Sequence, residues 1–413
     1  MKVNDLIGKR VGAFLSGGLD STTITKWLSE KGVEVVSMTI DLGQPDEKNI
    51  GDIAGRMLKA GAVEAITIDG KPLLAEYMLQ VIQGLGHHEG GYMNTTGIAR
   101  MAAVQVALPE IMKRKLDIIV HGATGRGNDQ VRFELAPAML EPDLRVYAPW
   151  RDTDFINECG GRKEMIEFCQ RQGLGVSATL DRPYSTDANF CGLTHEAGRL
   201  ERITERPDYV KFLMGVRPQE APDKEEIVSV CFGRGRPIVV NGQKMKLVPL
   251  FLELNKIVGR NGVAVGIDVV ENRRVGIKSR GVYESPAATL LEIAYGKLLE
   301  LIMDRDRRKF FEIVSRQWAD VVYEGEFFSP KAGDLLAVIT NVARQATGEI
   351  TYALYKGGVY FIKAEGVVHS LYDPDRSSME KVGDFNHTDS QGYLNIAGVL
   401  ARAMARAGQT RRQ

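Results

Sequence analysis

Two short stretches carry residues whose types and spacing suit chemistry on a phosphate anhydride. The first is Ser16-Gly17-Gly18-Leu19-Asp20-Ser21. An apolar run at residues 11–15 precedes it and reads as a buried strand. Behind it Ile24, Trp27 and Leu28 recur at helical spacing. Strand, small-residue turn and helix start leave backbone N–H groups unpaired and aim the positive end of a helix dipole outward. Hydroxyls on Ser16, Ser21 and Thr22 add short donors, so the stretch reads as a cradle for phosphate. A lone Gly-Gly would be explained by turn shape; six residues of the form SGGxDS are more specific. No Gly-Lys pair is followed by Ser or Thr, and GxGxxG does not occur, so neither a Walker A loop nor the dinucleotide fingerprint is present.

The second stretch, residues 121–133, runs His121-Gly122-Ala123-Thr124-Gly125-Arg126-Gly127-Asn128-Asp129-Gln130-Val131-Arg132-Phe133. Its three glycines let backbone approach a ligand, while Thr124, Asn128, Asp129 and Arg132 supply a hydroxyl, an amide, a carboxylate and a guanidinium. A solvated loop with Asp129 capping the next helix is the plainer account. Its place after an apolar run at residues 117–120, in the same region as the cradle, favours a site. His121 and His195 invite acid–base roles, but a histidine ending a strand is more often packed and hydrogen-bonded in the core.

The elements that must hold these loops follow from periodicity. Strand-like runs at 11–15, 33–40, 62–68, 117–120 and 146–148 alternate with helix-like runs at 21–31, 51–59, 72–83, 98–115 and 153–172. That alternation predicts an α/β fold with a parallel sheet and helices on both faces, closing near residue 173. From residue 174 strands are expected at 226–232 and 237–240, and helices at 247–258, 287–303, 308–323 and 332–346. A hairpin is expected at 352–361 with Gly357-Gly358 at its turn. Blocks of this kind suggest an α+β second domain over 174–385, followed by a helical tail at 386–413.

The chain has 413 residues, enough for two or three domains, and its 53 basic and 53 acidic side chains cancel. Such a balance gives no overall electrostatic reason to bind nucleic acid or an anionic membrane; the basic residues at 402–412 read as a solvated helix end. Cys159, Cys169, Cys191 and Cys231 show no CxxC or zinc spacing, which suggests reduced thiols and a cytoplasmic protein without a metal-ligand set. No signal-peptide core and no apolar run of membrane-spanning length are found.

SGGxDS resembles the pyrophosphate (PP) loop of N-type ATP pyrophosphatases. HGATGRGNDQVRFE together with SGGLDS is similar to the argininosuccinate synthase family. Further matching blocks are Tyr92-Met93-Asn94-Thr95-Thr96-Gly97-Ile98-Ala99-Arg100, Ala148-Pro149-Trp150-Arg151-Asp152 and Tyr184-Ser185-Thr186-Asp187-Ala188-Asn189. Thr194-His195-Glu196-Ala197-Gly198, Val270-Glu271-Asn272-Arg273 and Ser279-Arg280-Gly281-Val282-Tyr283-Glu284 continue the match in the family's order. The resemblance implies a PP-loop nucleotide-binding domain, an α+β synthetase domain and a C-terminal oligomerisation helix in a homotetramer. It implies ligation of L-citrulline to L-aspartate through citrullyl-AMP, with ATP becoming AMP and pyrophosphate.

By matching position, Phe14, Leu15, Ser16, Gly17, Gly18, Leu19, Asp20, Ser21 and Thr22 would hold ATP, with Asp20 helping to place Mg²⁺. Ile40 and Gly122 would approach the nucleotide as well. Thr124, Asn128 and Asp129 would bind aspartate. Tyr92, Thr96, Asn128, Arg132, Ser185, Thr194, Glu271 and Tyr283 would form the citrulline pocket, Arg132 pairing with the carboxylate and Glu271 with the ammonium. Asp20, Asp129 and Arg132 are the expected catalytic residues. Gly97 stands where many family members carry a serine that touches citrulline, so Thr96 is expected to supply that contact. Two rivals are a PP-loop enzyme that thiolates tRNA or attaches lysine to it, and a non-catalytic nucleotide-binding protein.

Overall fold

The apolar runs of the N-terminal third form strands, within a residue or two of the expected bounds. The computed structural model describes residues 1–175, 183–380 and 386–411; Arg412, part of the basic tail, lies outside them. Strands β1 (Arg10–Phe14), β2 (Glu34–Asp41), β3 (Glu64–Asp69), β4 (Ile118–His121) and β5 (Arg145–Tyr147) make one sheet in the order β3-β2-β1-β4-β5. All four pairings are parallel. Helices α1 (Leu19–Glu30), α2 (Gly51–Lys59), α3 (Lys71–Gln83), α4 (Thr95–Lys113) and α5 (Asp129–Leu140) connect them. The chain steps outward from β1 to β3 and then returns to lay β4 on the other side of β1. Strand order therefore reverses between β1 and β4, where diverging loops leave a crevice at the carboxyl ends. Phe14 pairs with His121 across that junction, so residues 15–18 and 122–128 border one crevice.

Helix α1 forms despite three threonines in its first two turns. Thr22, Thr23 and Thr25 return their hydroxyls to the carbonyls of Gly18, Leu19 and Ser21 at 2.9, 2.9 and 2.7 Å, which satisfies them while buried. Leu19, Ile24, Trp27 and Leu28 pack beneath the sheet beside Val11 and Ala13. The helix expected over 153–172 is two helices, α6 (Thr153–Cys159) and α7 (Arg162–Arg171). Gly160 and Gly161 divide them: Gly161 is extended at φ −151°, ψ 165°, and a side chain at Gly160 would meet the Ile156 carbonyl at 2.2 Å.

Beyond them come β6 (Ser185–Asn189), β7 (Gly192–Glu196), β8 (Glu226–Gly233), β9 (Arg236–Val240), β10 (Gln243–Lys244) and α8 (Leu247–Arg260). Then follow β11 (Val265–Asn272), β12 (Lys278–Glu284), α9 (Pro286–Ile302), α10 (Arg305–Tyr323), α11 (Pro330–Ala343), β13 (Gly348–Tyr355), β14 (Gly358–Glu365) and α12 (Asp389–Arg406). An antiparallel sheet β10-β9-β8-β13-β14 packs against α8 and α9. In the β13–β14 hairpin the turn residues are Lys356 and Gly357, both at positive φ (47° and 82°), while Gly358 already pairs with Tyr355. The tight two-residue turn needs positive φ at both places, which moves it one residue ahead of the expected Gly-Gly.

A third sheet, β11-β12-β7-β6, lies where the periodicity predicts no strands. Its sequences, such as Ser185-Thr186-Asp187-Ala188-Asn189, place polar side chains toward a cavity and so lack the apolar alternation that marks a strand. One apolar core runs from α3 and α4 to α8, α9 and α10, joining the parallel sheet to the later elements. Trp318 of α10 is buried against Gly84 and donates to the Gln80 carbonyl at 3.1 Å, and Asn94 donates to the Ala319 carbonyl at 3.2 Å. These contacts bring the C-terminal end of α10 beside α5. By contrast, α12 buries none of its residues. Among the described residues no helix is long and apolar enough to cross a membrane.

Candidate active site

At the β1–α1 junction Gly17 turns the chain at φ +75°. A Cβ there would lie 2.8 Å from Ile53 Cγ2 and 2.9 Å from Arg56 Nη2, so both conformation and space demand glycine. Gly18 is different. Its backbone is ordinary (φ −79°, ψ −169°) and a Cβ would meet only the Ser16 hydroxyl, at 3.8 Å. Gly18 is the N-cap of α1 and gives no side-chain cap. The first intrahelical bond is donated by the Thr22 N–H to the Gly18 carbonyl at 3.0 Å, which leaves the N–H groups of residues 18–21 without an intrahelical acceptor. Ser21 accepts from the Ser16 N–H at 3.0 Å, fixing the loop's curvature. A helix dipole and open N–H groups facing a crevice bind anions.

That crevice is the mouth of a cavity of about 460 Å³, within the range that holds small ligands. Phe14, Leu15, Ser16, Asp20 and Ser21 line its one end with Ile40 and Gly122. Tyr92, Thr96, Thr124, Asn128, Asp129, Arg132, Thr194, Glu271 and Tyr283 line the rest. Five expected residues do not line it. Gly17 shapes the turn, Gly18 is the N-cap of α1, Leu19 is packed in the core beneath the sheet, and Thr22 is buried with its hydroxyl on Gly18. Ser185 stands exposed at the start of β6, in register with Glu196, and its neighbours Thr186 and Asp187 face the cavity instead.

The cavity's charges are arranged in pairs. Asp129, first residue of α5, meets Arg132 Nη1 at 2.8 Å and Arg100 Nε at 3.0 Å, and Arg100 continues to Asp187 at 2.7 Å. Burial opposes ionisation of Asp129, but Arg100 and Arg132 outweigh it and hold the carboxyl below the usual range. Such a carboxylate is a good partner for an ammonium and a weak base. Glu271 of β11 accepts from Tyr283 Oη at 2.9 Å and Tyr323 Oη at 2.7 Å. Burial raises the Tyr283 and Tyr323 phenols, so both stay protonated donors at neutral pH. The Tyr92 hydroxyl accepts from the Thr96 N–H at 3.0 Å, and the Thr96 and Thr194 hydroxyls are 3.0 Å apart. Burial likewise raises the Asp20 carboxyl, opposed in part by its own N–H, Trp150 and Arg162.

Arg100, Asp187, Glu196, Arg273 and Tyr323 belong to the same lining and had no site role expected of them. Arg100 follows Thr96 by one helical turn, a spacing that places both on one face of α4. Tyr323 closes an amphipathic helix, and nothing in its neighbourhood distinguishes it in the sequence. His121 and His195 do not line the cavity. His121 is stacked on Phe133, with ring centroids 5.3 Å apart. His195 is 2.8 Å from Glu284 and 3.1 Å from Thr186, with both His195 and Glu284 buried.

Comparison with known proteins decides the family. The profile described as "Arginosuccinate synthase N-terminal HUP domain" matches residues 10–175, and "Arginosuccinate synthase C-terminal domain" matches residues 184–404. The chain belongs to the argininosuccinate synthase family. It is 40% identical over 389 residues to the argininosuccinate synthase of Thermotoga petrophila, covering 92% of this chain and 94% of that one. With the Rhodopirellula baltica argininosuccinate synthase it shares 39% over 393 residues, covering 95% and 96%. Among solved structures, an NAD+ synthetase from Burkholderia pseudomallei is 15% identical and covers 43% of this chain and 64% of that one. Its TM-score is 0.25, too slight a likeness to carry an argument.

The two glycines of the loop are expected to fail differently. Gly17→Ala, forced into positive φ against Ile53, should lose about 1–3 kcal/mol of stability and lower the thermal unfolding temperature. Gly18→Ala should unfold at the wild-type temperature but bind ATP about tenfold or more weakly, because its methyl occupies the cradle. Differential scanning fluorimetry and titration calorimetry separate the two; equal unfolding temperatures would contradict the assignment.

Proposed function

We propose that this chain condenses L-citrulline with L-aspartate to argininosuccinate while splitting ATP to AMP and pyrophosphate. The observation that carries the reading is that one cavity joins an anion cradle to a lobe lined with paired carboxylates and guanidiniums. Nucleotide phosphates suit the first, and zwitterionic amino acids suit the second. Family membership supports the same reaction and the use of ATP.

A ureido carbon is deactivated by two nitrogens, and its oxygen is a poor leaving group. Attack of that oxygen on the α-phosphorus forms an O–P bond and breaks the bond to the β-phosphate, releasing pyrophosphate. The N–H groups at the start of α1, with Ser16 and Ser21, take up the charge that develops on the departing group; one such oxyanion-type donor is worth about 3–4 kcal/mol. The aspartate amine then attacks the cationic carbon, and AMP leaves with the former ureido oxygen. Arg132 receives the citrulline carboxylate and Glu271 its ammonium, while Tyr92, Thr96, Thr194 and Tyr283 enclose the head. Ser185 contributes only from the margin. Thr124, Asn128 and Asp129 receive aspartate. Holding three reactants in one enclosed site turns each step into a near-unimolecular one.

Asp20 is a single, partly desolvated carboxylate at the start of α1 that lines the same end of the cavity as Ser16 and Ser21. One carboxylate with phosphate oxygens and water is the usual setting for Mg²⁺, so the residues fit the ion as a partner of ATP. When bound, it would neutralise charge on the phosphates. Covalent catalysis by cysteine is disfavoured, since burial pushes the Cys159 thiol up to about 12 and Cys191 well above its usual value. Those thiols, unpaired in the structure, suit a cytoplasmic setting. A homotetramer would give α12 a place to bury Tyr393, Leu394, Ile396, Val399 and Leu400, all exposed in the single chain.

Incubation with ATP and citrulline should release pyrophosphate, and aspartate should raise the rate and yield argininosuccinate. Release independent of citrulline, or none, would reject the ligase. Removing the chain from about Ser390 onward should lower the sedimenting mass from tetramer toward smaller species; an unchanged mass would remove the helix from the interface.

A further inference from the structure

We propose that Tyr323 is a positioning residue that sets both poles of the citrulline site; this rests on the reaction proposed above. Helix α10 ends at Tyr323 because Gly325 turns the chain at φ +82°, and side-chain atoms of Arg132 would sit 3.0 Å from any Cβ placed there. A helix that stops in this way leaves its last carbonyls without intrahelical partners and its negative end exposed. The Tyr323 carbonyl is one of them. It accepts from Arg132 Nε at 3.0 Å and from Arg132 Nη2 at 2.6 Å. With Asp129 on Nη1, three of the five guanidinium donors are fixed by protein, and two remain for a substrate carboxylate.

The same residue reaches the other pole. Its hydroxyl donates to Glu271 Oε2 at 2.7 Å, while Tyr283 holds Oε1 at 2.9 Å. Between carbonyl and hydroxyl the ring is rigidly seated. It stacks on His88 with centroids 3.7 Å apart and planes 12° from parallel, meets Tyr92 edge-on at 6.5 Å, and lies 5.3 Å from the Arg132 guanidinium carbon. One side chain of fixed length therefore spaces the residue for the carboxylate from the residue for the ammonium. Selection of an α-amino acid head over a simple acid follows from that spacing, since the partners of buried Glu271 among the described residues are the neutral hydroxyls of Tyr323, Tyr283 and Ser279.

Tyr323→Phe tests this because it removes only the hydroxyl. The ring stack and the carbonyl clamp on Arg132 remain. In steady-state assays the KM for citrulline should rise about 10- to 100-fold, the range for losing a hydrogen bond to a charged group, with the KM for ATP and for aspartate unchanged. The inhibition constant of 5-ureidopentanoate, which is citrulline without its ammonium, should be the same for variant and wild type. Parallel weakening of both compounds would show a general structural defect and overturn the proposal, as would an unchanged KM for citrulline. If wild-type protein shows no citrulline-dependent pyrophosphate release, the reaction itself is wrong, and that result is distinct from either of these.

Discussion

Gly17 can turn where no other residue fits, and the anion cradle at the mouth of the cavity depends on that turn. At φ +75°, with Ile53 2.8 Å from where a Cβ would stand, the chain reverses within a few residues between β1 and α1. The reversal brings the N-terminus of α1 to the crevice where strand order switches from β1 to β4. Thr22, Thr23 and Thr25 satisfy their buried hydroxyls on carbonyls one turn back, and Gly18 at the N-cap leaves the first turn without a capping side chain. In the reading proposed above, a phosphate group would supply what the sequence leaves unpaired.

The amino-acid end depends on a different constraint. Its guanidiniums and carboxylates are largely desolvated, and taking charges from water is costly unless each has close partners. The structure meets this with a chain of contacts from Asp187 to Arg100, Asp129, Arg132 and the Tyr323 carbonyl. The members come from β6, α4, α5 and α10, so the parallel sheet and the later elements must both be folded before the chain of charges closes. Such a network is stiff before substrate arrives. Preorganised charge of this kind stabilises a cationic isourea and a departing anion without further rearrangement.

What the sequence disclosed follows from what each element buries. The parallel sheet was legible because β1, β2 and β4 are buried on both faces and read as apolar runs. SGGLDS was legible because a turn, a cap position and two hydroxyls must lie at fixed spacing. The third sheet was not, since β6, β7, β11 and β12 carry the polar residues of the cavity. The break at Gly160-Gly161 was missed for a related reason: apolar periodicity continues through Phe155, Met165 and Phe168 on both sides of it. Tyr323 acts partly through its carbonyl, which no side-chain pattern can reveal, and Ser185 shares a face with Asp187 yet stops short of the cavity.

Transfer of AMP to the ureido oxygen is the step that gives both halves of the cavity their purpose. Citrulline labelled with ¹⁸O in its ureido group, turned over with ATP and aspartate, follows that oxygen directly by mass spectrometry of the products. One ¹⁸O atom is expected in the phosphate of AMP and none in pyrophosphate. Label recovered in pyrophosphate or in water, with AMP unlabelled, would contradict it.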